Sequence, residues 1–214
     1  MNSHSFNIRK NKIRMNESRI SRKILNERER KIIYEPRSGS DMENATLHHV
    51  PIYLYSDLCS LAKKMGGPNR VLAWMFKRSN DNIILLQDPS NMSSGHWISV
   101  SRNVPNKEVY FFSTYGGKPD VEKIKWMNED SLRESGQFLN IFNDGLRSLQ
   151  EHGWEIHYND YPYQKPEDKT ATCGIFTVAF LRSGKNPDEF EKETKKIQAQ
   201  GLNPAVIYFD RYFH

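Results

Sequence analysis

The stretch GHWISVSRNVPNKEVYFFSTYGGKPD, residues 95–120, decides how the rest of the chain is read. His96–Ser101 and Glu108–Ser113 are β-branched or aromatic and partly alternating, with the turn chemistry of NVPNK between them. That pattern predicts a β-hairpin. With the turn centred on Val104–Pro105, cross-strand partners carry numbers summing to about 209, and opposed Cβ atoms lie about 5 Å apart. His96 then faces Ser113, a pairing that a slip of one residue would change. TYGGKPD, residues 114–120, is a loop by composition.

Outward from the hairpin, helical and strand patterns are mixed. Tyr55–Met65 has apolar residues at helical spacing, an N-cap candidate at Ser56 and a stop at Gly66-Gly67. Val71–Phe76 is a short apolar run, Asn82–Leu86 reads as a buried strand or the end of a helix, and residues 88–95 read as a loop. Ser135–His152 predicts a helix ended by Gly153, and Trp154–Tyr158 a strand. Ala171–Arg182 predicts a buried helix whose N-terminus lies near Cys173. Pro187–Gln200 predicts a charged amphipathic helix, and the aromatic tail packs on the core. The mixture with an antiparallel hairpin makes the fold class α+β.

The chain has 214 residues, 31 Lys and Arg against 26 Asp and Glu, and two cysteines. Two cysteines exclude a disulfide framework and a Cys-based structural zinc site. No apolar run approaches the ~20 residues of a membrane span, and the first residues lack the apolar core of a signal peptide. A soluble, intracellular, monomeric protein with a free thiol and no cofactor is expected. Residues 1–40 hold eleven Lys/Arg against four Glu, or +7, leaving 20 basic and 22 acidic residues, or −2. Residues 1–45 therefore read as a basic arm, with a helix over 17–33 and a linker at 35–41, and 46–214 as the folded domain. The arm is either a solvated leader or a contact to nucleic acid or another polyanion through Arg9, Lys10, Lys12, Arg14, Arg19, Arg22 and Lys23.

Cys59, between Leu58 and Leu61, reads as a small core residue. Cys173 is either core or a nucleophile. It precedes a buried helix, and free N–H groups and the dipole at a helix start favour a thiolate. Gly174 would let a substrate backbone approach. A nucleophilic cysteine needs a base within reach, and His96, opening a strand after a loop, is the histidine placed to serve. Ser113 would orient its ring. Trp97 is a core aromatic or a cleft wall; Tyr115, Gly116 and Gly117 shape a groove or are ordinary loop residues.

These residues resemble a known family. Residues 95–120 look like the His-Trp strand, hairpin and following loop of adenovirus-type cysteine proteases, and ATCGIF resembles the Cys-Gly that opens their central helix. Gln164, nine residues before Cys173, resembles their oxyanion glutamine. The order His, acid, Gln, Cys is that of the adenain/Ulp-like fold, and the resemblance covers roughly residues 85–185. It implies a mixed sheet packed on a central helix with the nucleophile at its N-terminus. It also implies a cysteine endopeptidase cleaving capsid precursors with small residues, often Gly, before the scissile bond, located in the virion and host-cell interior. DNA activates enzymes of this type, which would suit the basic arm. The flavour is closest to proteases of virophages, polinton-like elements and large DNA viruses. A Ulp-type isopeptidase acting on ubiquitin-like modifiers and a catalytically weakened capsid- or nucleic-acid-associated protein are the alternatives. One departure stands out: the family carries Asp, Glu or Asn where this chain has Ser113. Either serine suffices, or Asp120, Asp88 or Glu108 reaches His96, or activity is weakened.

Overall fold

NIILL is a strand because both of its faces are covered. In the computed structural model, which describes residues 25–165, 167 and 170–213, it lies within β2 (Asp81–Asp88). Ile84 and Leu86 point to one side of the sheet and Ile83 and Leu85 to the other, all buried. A strand buried on both faces is apolar without alternation, which is why the sequence leaves strand and helix undivided there.

Five strands form the sheet in chain order: β1 (Ile52–Leu54), β2, β3 (Asn91–Asn103), β4 (Glu108–Ser113) and β5 (Glu155–Tyr158). The outer pairs β1–β2 and β4–β5 are parallel and the inner pairs antiparallel. The molecule is an α+β protein with a mixed sheet. On one face pack α3 (Tyr55–Met65), α4 (Asn69–Phe76) and α7 (Ile141–Glu151), closing a core on Ile98, Val100, Val109 and Phe111. On the other lies α8 (Cys173–Ser183), whose residues from Cys173 to Phe180 are all buried. Each large apolar side chain buried this way contributes about 1.5–3 kcal/mol. Around α8 pack α9 (Pro187–Ala199) and α10 (Pro204–Tyr212), together with α1 (Glu27–Tyr34) and α2 (Gly39–Ala45). Two short helices, α5 (Val121–Trp126) and α6 (Glu129–Glu134), fill the connection from β4 to α7.

Several expectations are corrected. The hairpin pairs Ile98 with Ser113 and Asn103 with Glu108, two residues from the expected register, because the turn spans four residues, 104–107. A shift of two keeps every side chain on its face. The expected loop at 88–95 is mostly the start of β3, which turns back directly after β2. Ser56 does not cap α3; Leu54 occupies that position, and the Ser56 hydroxyl donates to Gln87 Oε1 at 2.5 Å. Residues 135–140 are not helical. Gln137 instead clasps the Gln87 backbone there, accepting from its N–H at 2.8 Å and donating to its carbonyl at 2.9 Å.

The expected linker at 35–41 contains a helix start: Ser38 and Asp41 form a reciprocal capping box that opens α2. The described part of residues 1–45 lies on the body, with Ile32, Ile33 and Met42 buried. The helix expected over 17–33 is described only from Glu27, and the seven basic residues Arg9 to Lys23 lie outside the described residues. No helix among the described residues is long and apolar enough to cross a membrane.

Candidate active site

His96 sits within β3, opposite Leu86, rather than at the strand's mouth, and is 1% exposed. The backbone before it is shaped by Gly95, at φ +157°, where a Cβ would lie 2.0 Å from the Leu86 carbonyl oxygen. No other residue allows β2 to approach that closely. Despite the shifted register, the His96–Ser113 contact forms diagonally: Nε2 lies 3.0 Å from Ser113 Oγ. Tyr115 stacks on the imidazole, ring centroids 3.8 Å apart and planes at 5°. Tyr115 and its neighbour Gly116 line the protein's own interior. A Cβ at Gly116 would meet the Asp160 carbonyl at 2.7 Å.

Ser113 is held by a residue that sequence reasoning missed. Buried Asn159 accepts from the Ser113 N–H at 3.0 Å and donates to the Ser113 carbonyl at 2.8 Å and the Tyr161 carbonyl at 3.0 Å. Its amide continues the sheet ladder one step beyond β5. Nothing in the local sequence NDYPY signals this, since asparagine there reads as turn chemistry.

None of the candidate acids reaches His96. Asp120 bonds Tyr55 Oη and the Asn143 N–H, Asp88 turns back to Ser90, and Glu108 takes the Tyr110 hydroxyl at 2.6 Å. Among the described residues, no carboxylate contacts the imidazole.

Cys173 is the first residue of α8, 7% exposed, and clusters with Trp97, Met42 and Val178. Backbone N–H groups of Trp97, Gly174 and its own residue lie close enough to the thiol to favour the thiolate. Burial outweighs them and holds the thiol pKa above its ordinary value. The same desolvation lowers His96 to about 3. The expected acidic thiol is thus corrected: burial favours the neutral form of both Cys173 and His96. Among the described residues, His96 Nδ1 has no hydrogen-bond partner, an arrangement that costs about 1–3 kcal/mol in a buried site. One ring nitrogen is anchored, and the other is open to take a proton. Cys59, in the opposite core, is pushed up to about 11, chiefly by burial.

Gln164 is brought alongside by the chain. Its N–H and that of Tyr163 both donate to the Thr114 carbonyl, at 3.0 and 2.9 Å. Its side chain lies against the loop that enters α8, donating to the Thr170 carbonyl at 2.7 Å and accepting from Thr172 Oγ1 at 3.2 Å. Gly174 does not face open space. A Cβ there would come within 3.0 Å of Arg37 Cβ and Met42 Sδ. Trp97 is buried, and its indole N–H donates to the Arg37 carbonyl at 3.0 Å. Glu108, Glu155 and His157 could together hold a metal, their ligand atoms lying within 4.8 Å of one another, but they stand at the end of β4 remote from Ser113.

No family model matches the chain. It is similar to "Uncharacterized protein V9" of Sputnik virophage, with 28% identity over 87 residues. The match takes in 41% of this chain and 47% of that protein, so the chain spans about half the length of the relative it matches. Among solved structures, the SUMO protease Ulp1 with its catalytic cysteine oxidised to a sulfinic acid aligns over 81% of this chain and 71% of that one. The identity is 11% and the TM-score 0.34, too loose a likeness to carry an argument.

Proposed function

We propose that this protein is a cysteine endopeptidase of viral type that cleaves capsid precursor proteins by a Cys–His mechanism. One juxtaposition supports the reading. A cysteine at the start of a buried helix meets the backbone beside a histidine whose Nε2 is anchored on Ser113 and whose Nδ1 is unpaired. Similarity to a virophage protein agrees with a viral setting.

The Cys173 thiol passes its proton to His96 Nδ1 as sulfur attacks the peptide carbonyl carbon. The oxyanion that forms takes hydrogen bonds from the Cys173 N–H at the helix start and from the second amide hydrogen of Gln164. His96 then protonates the departing amine, the C–N bond breaks, and a thioester remains. Water, deprotonated by His96, hydrolyses it and restores the thiol. Ser113 and Tyr115 fix the ring without supplying charge. The basic residues between Arg9 and Lys23 make a non-specific, salt-dependent contact to DNA.

The test is cleavage of precursor peptides with glycine before the scissile bond, using the full chain and Cys173→Ala. Cleavage by the wild type alone supports the proposal, and equal cleavage by both contradicts it. The absence of a carboxylate at His96 favours a second reading, a catalytically weakened capsid- or nucleic-acid-associated protein. Ser113→Asp separates the two. It raises cleavage severalfold if the site is an active enzyme lacking charge support, and leaves an inactive protein inactive if the machinery has been lost.

A further inference from the structure

A protease must admit an extended polypeptide to its thiol, yet the groups beside Cys173 that could receive one are taken by the chain itself. The Ala171 N–H, two residues before Cys173, donates to the Ile33 carbonyl at 2.7 Å. The Trp97 indole donates to the Arg37 carbonyl at 3.0 Å. Arg37 Cβ and Met42 Sδ close on the bare face of Gly174. Met42, fully buried, completes the cluster around the thiol. Two main-chain carbonyls and two side chains from one ten-residue stretch thus occupy the approach to the candidate nucleophile.

We propose that residues 33–42 form a strap that closes the peptide-binding groove over Cys173 and lifts before substrate enters. The inference rests on the reading of Cys173 as the nucleophile and adds regulation of access to it.

The build of the segment suits it to move. Neither α1 nor α2 contributes to the sheet, and eight and seven residues are too few to be helical without docking. Their apolar anchors are the buried Ile32, Ile33, Met42 and Ala45. Arg28 pairs with Asp210 at the surface, and Asn26 with Glu29 and Ser38 with Asp41 cap the two helices. The Arg37 guanidinium lies 5.1 Å over Phe209, and Arg182 donates to the Ala45 carbonyl at 3.1 Å. The buried Arg37 Nε has no hydrogen-bond partner among the described residues, so lifting returns it to water. The strap also accounts for the desolvation of the thiol: the cover that excludes substrate excludes the water that would favour the thiolate.

Two measurements on the full chain decide it. The first is amide exchange at Ala171. Faster exchange than at Val100 in the sheet is expected, and exchange of both only on global unfolding would overturn the proposal, making the segment a fixed wall. The second is iodoacetamide labelling of Cys173, mapped by mass spectrometry, in wild type, Ser38→Ala and Arg28→Ala. Loss of a helix cap corresponds to about a 5-fold gain in opening, so Ser38→Ala labels about 5-fold faster and Arg28→Ala about 2-fold faster, with Cys59 unlabelled. Faster Ala171 exchange in these variants without faster labelling would overturn the strap and leave the protease reading intact. Faster labelling without any peptide cleavage would keep the strap and remove the protease reading.

Discussion

Two buried polar clusters among the described residues differ in how completely they are satisfied. Around Lys123, 1% exposed, every direction is filled. Its ammonium reaches Tyr55 Oη at 3.1 Å, the Gln137 and Leu139 carbonyls at 3.3 and 2.6 Å, and Asn140 Oδ1 at 3.2 Å, with Asp120 at 3.9 Å. This cluster ties the connection after β4 to α3 and α7. Around His96, equally buried, Nε2 is anchored and Nδ1 is not. Buried polar networks that are satisfied hold a fold; a buried open valence is maintained for chemistry or at a cost. The first cluster is structural and the second is the candidate site.

The largest expected effect separates the two roles. His96→Ala lowers peptide cleavage by about 10⁴-fold or more, while its urea midpoint falls less than that of a Lys123 variant. Lys123→Met leaves Asp120 buried without its cation and lowers stability by about 3–5 kcal/mol, read by urea unfolding. Cleavage per folded molecule stays near wild type. Asn159→Ala removes three buried hydrogen bonds of about 0.5–1.5 kcal/mol each. It loosens Ser113 and lowers kcat about 10-fold, with a smaller change in KM; an unchanged kcat would make Asn159 purely structural.

The last effect is in pH. His96 is depressed in the folded state to about 3, against 6.5 unfolded. Below 6.5 the unfolded chain binds the extra proton, so its contribution to stability is complete above pH 6.5 and is lost as pH falls from 6.5 towards 3. The groups packed on the ring, Ser113 and Tyr115, supply no countercharge. The urea midpoint therefore declines across that window in wild type, and the decline is shallower in His96→Ala.

The hairpin, α3, α8 and α9 are legible in the sequence because their periodicity and punctuation act over a few residues. β2 is ambiguous because burial on both faces erases alternation. Residues 135–140 look helical because Phe138 and Leu139 fall at helical spacing, yet Gln137 spends its amide on β2, a contact 50 residues away that no local pattern encodes. The same limit applies at the site. His96, Ser113 and Cys173 can be singled out as residue types in register or at a helix start. Asn159 and the strap cannot, because they act through main-chain hydrogen bonds that only the fold brings together. The acidity of the thiol is hidden for a related reason: the helix start is visible in the sequence, and the burial that desolvates it is not.

The central claim is that Cys173 and His96 act together on a peptide carbonyl. It is tested most directly by incubating the full chain with a glycine-ended peptide electrophile and mapping the adduct by mass. The account predicts one adduct, on Cys173, formed by wild type and nearly lost in His96→Ala, with Cys59 unmodified. Equal modification of the two cysteines, or labelling of Cys173 that does not depend on His96, would contradict it.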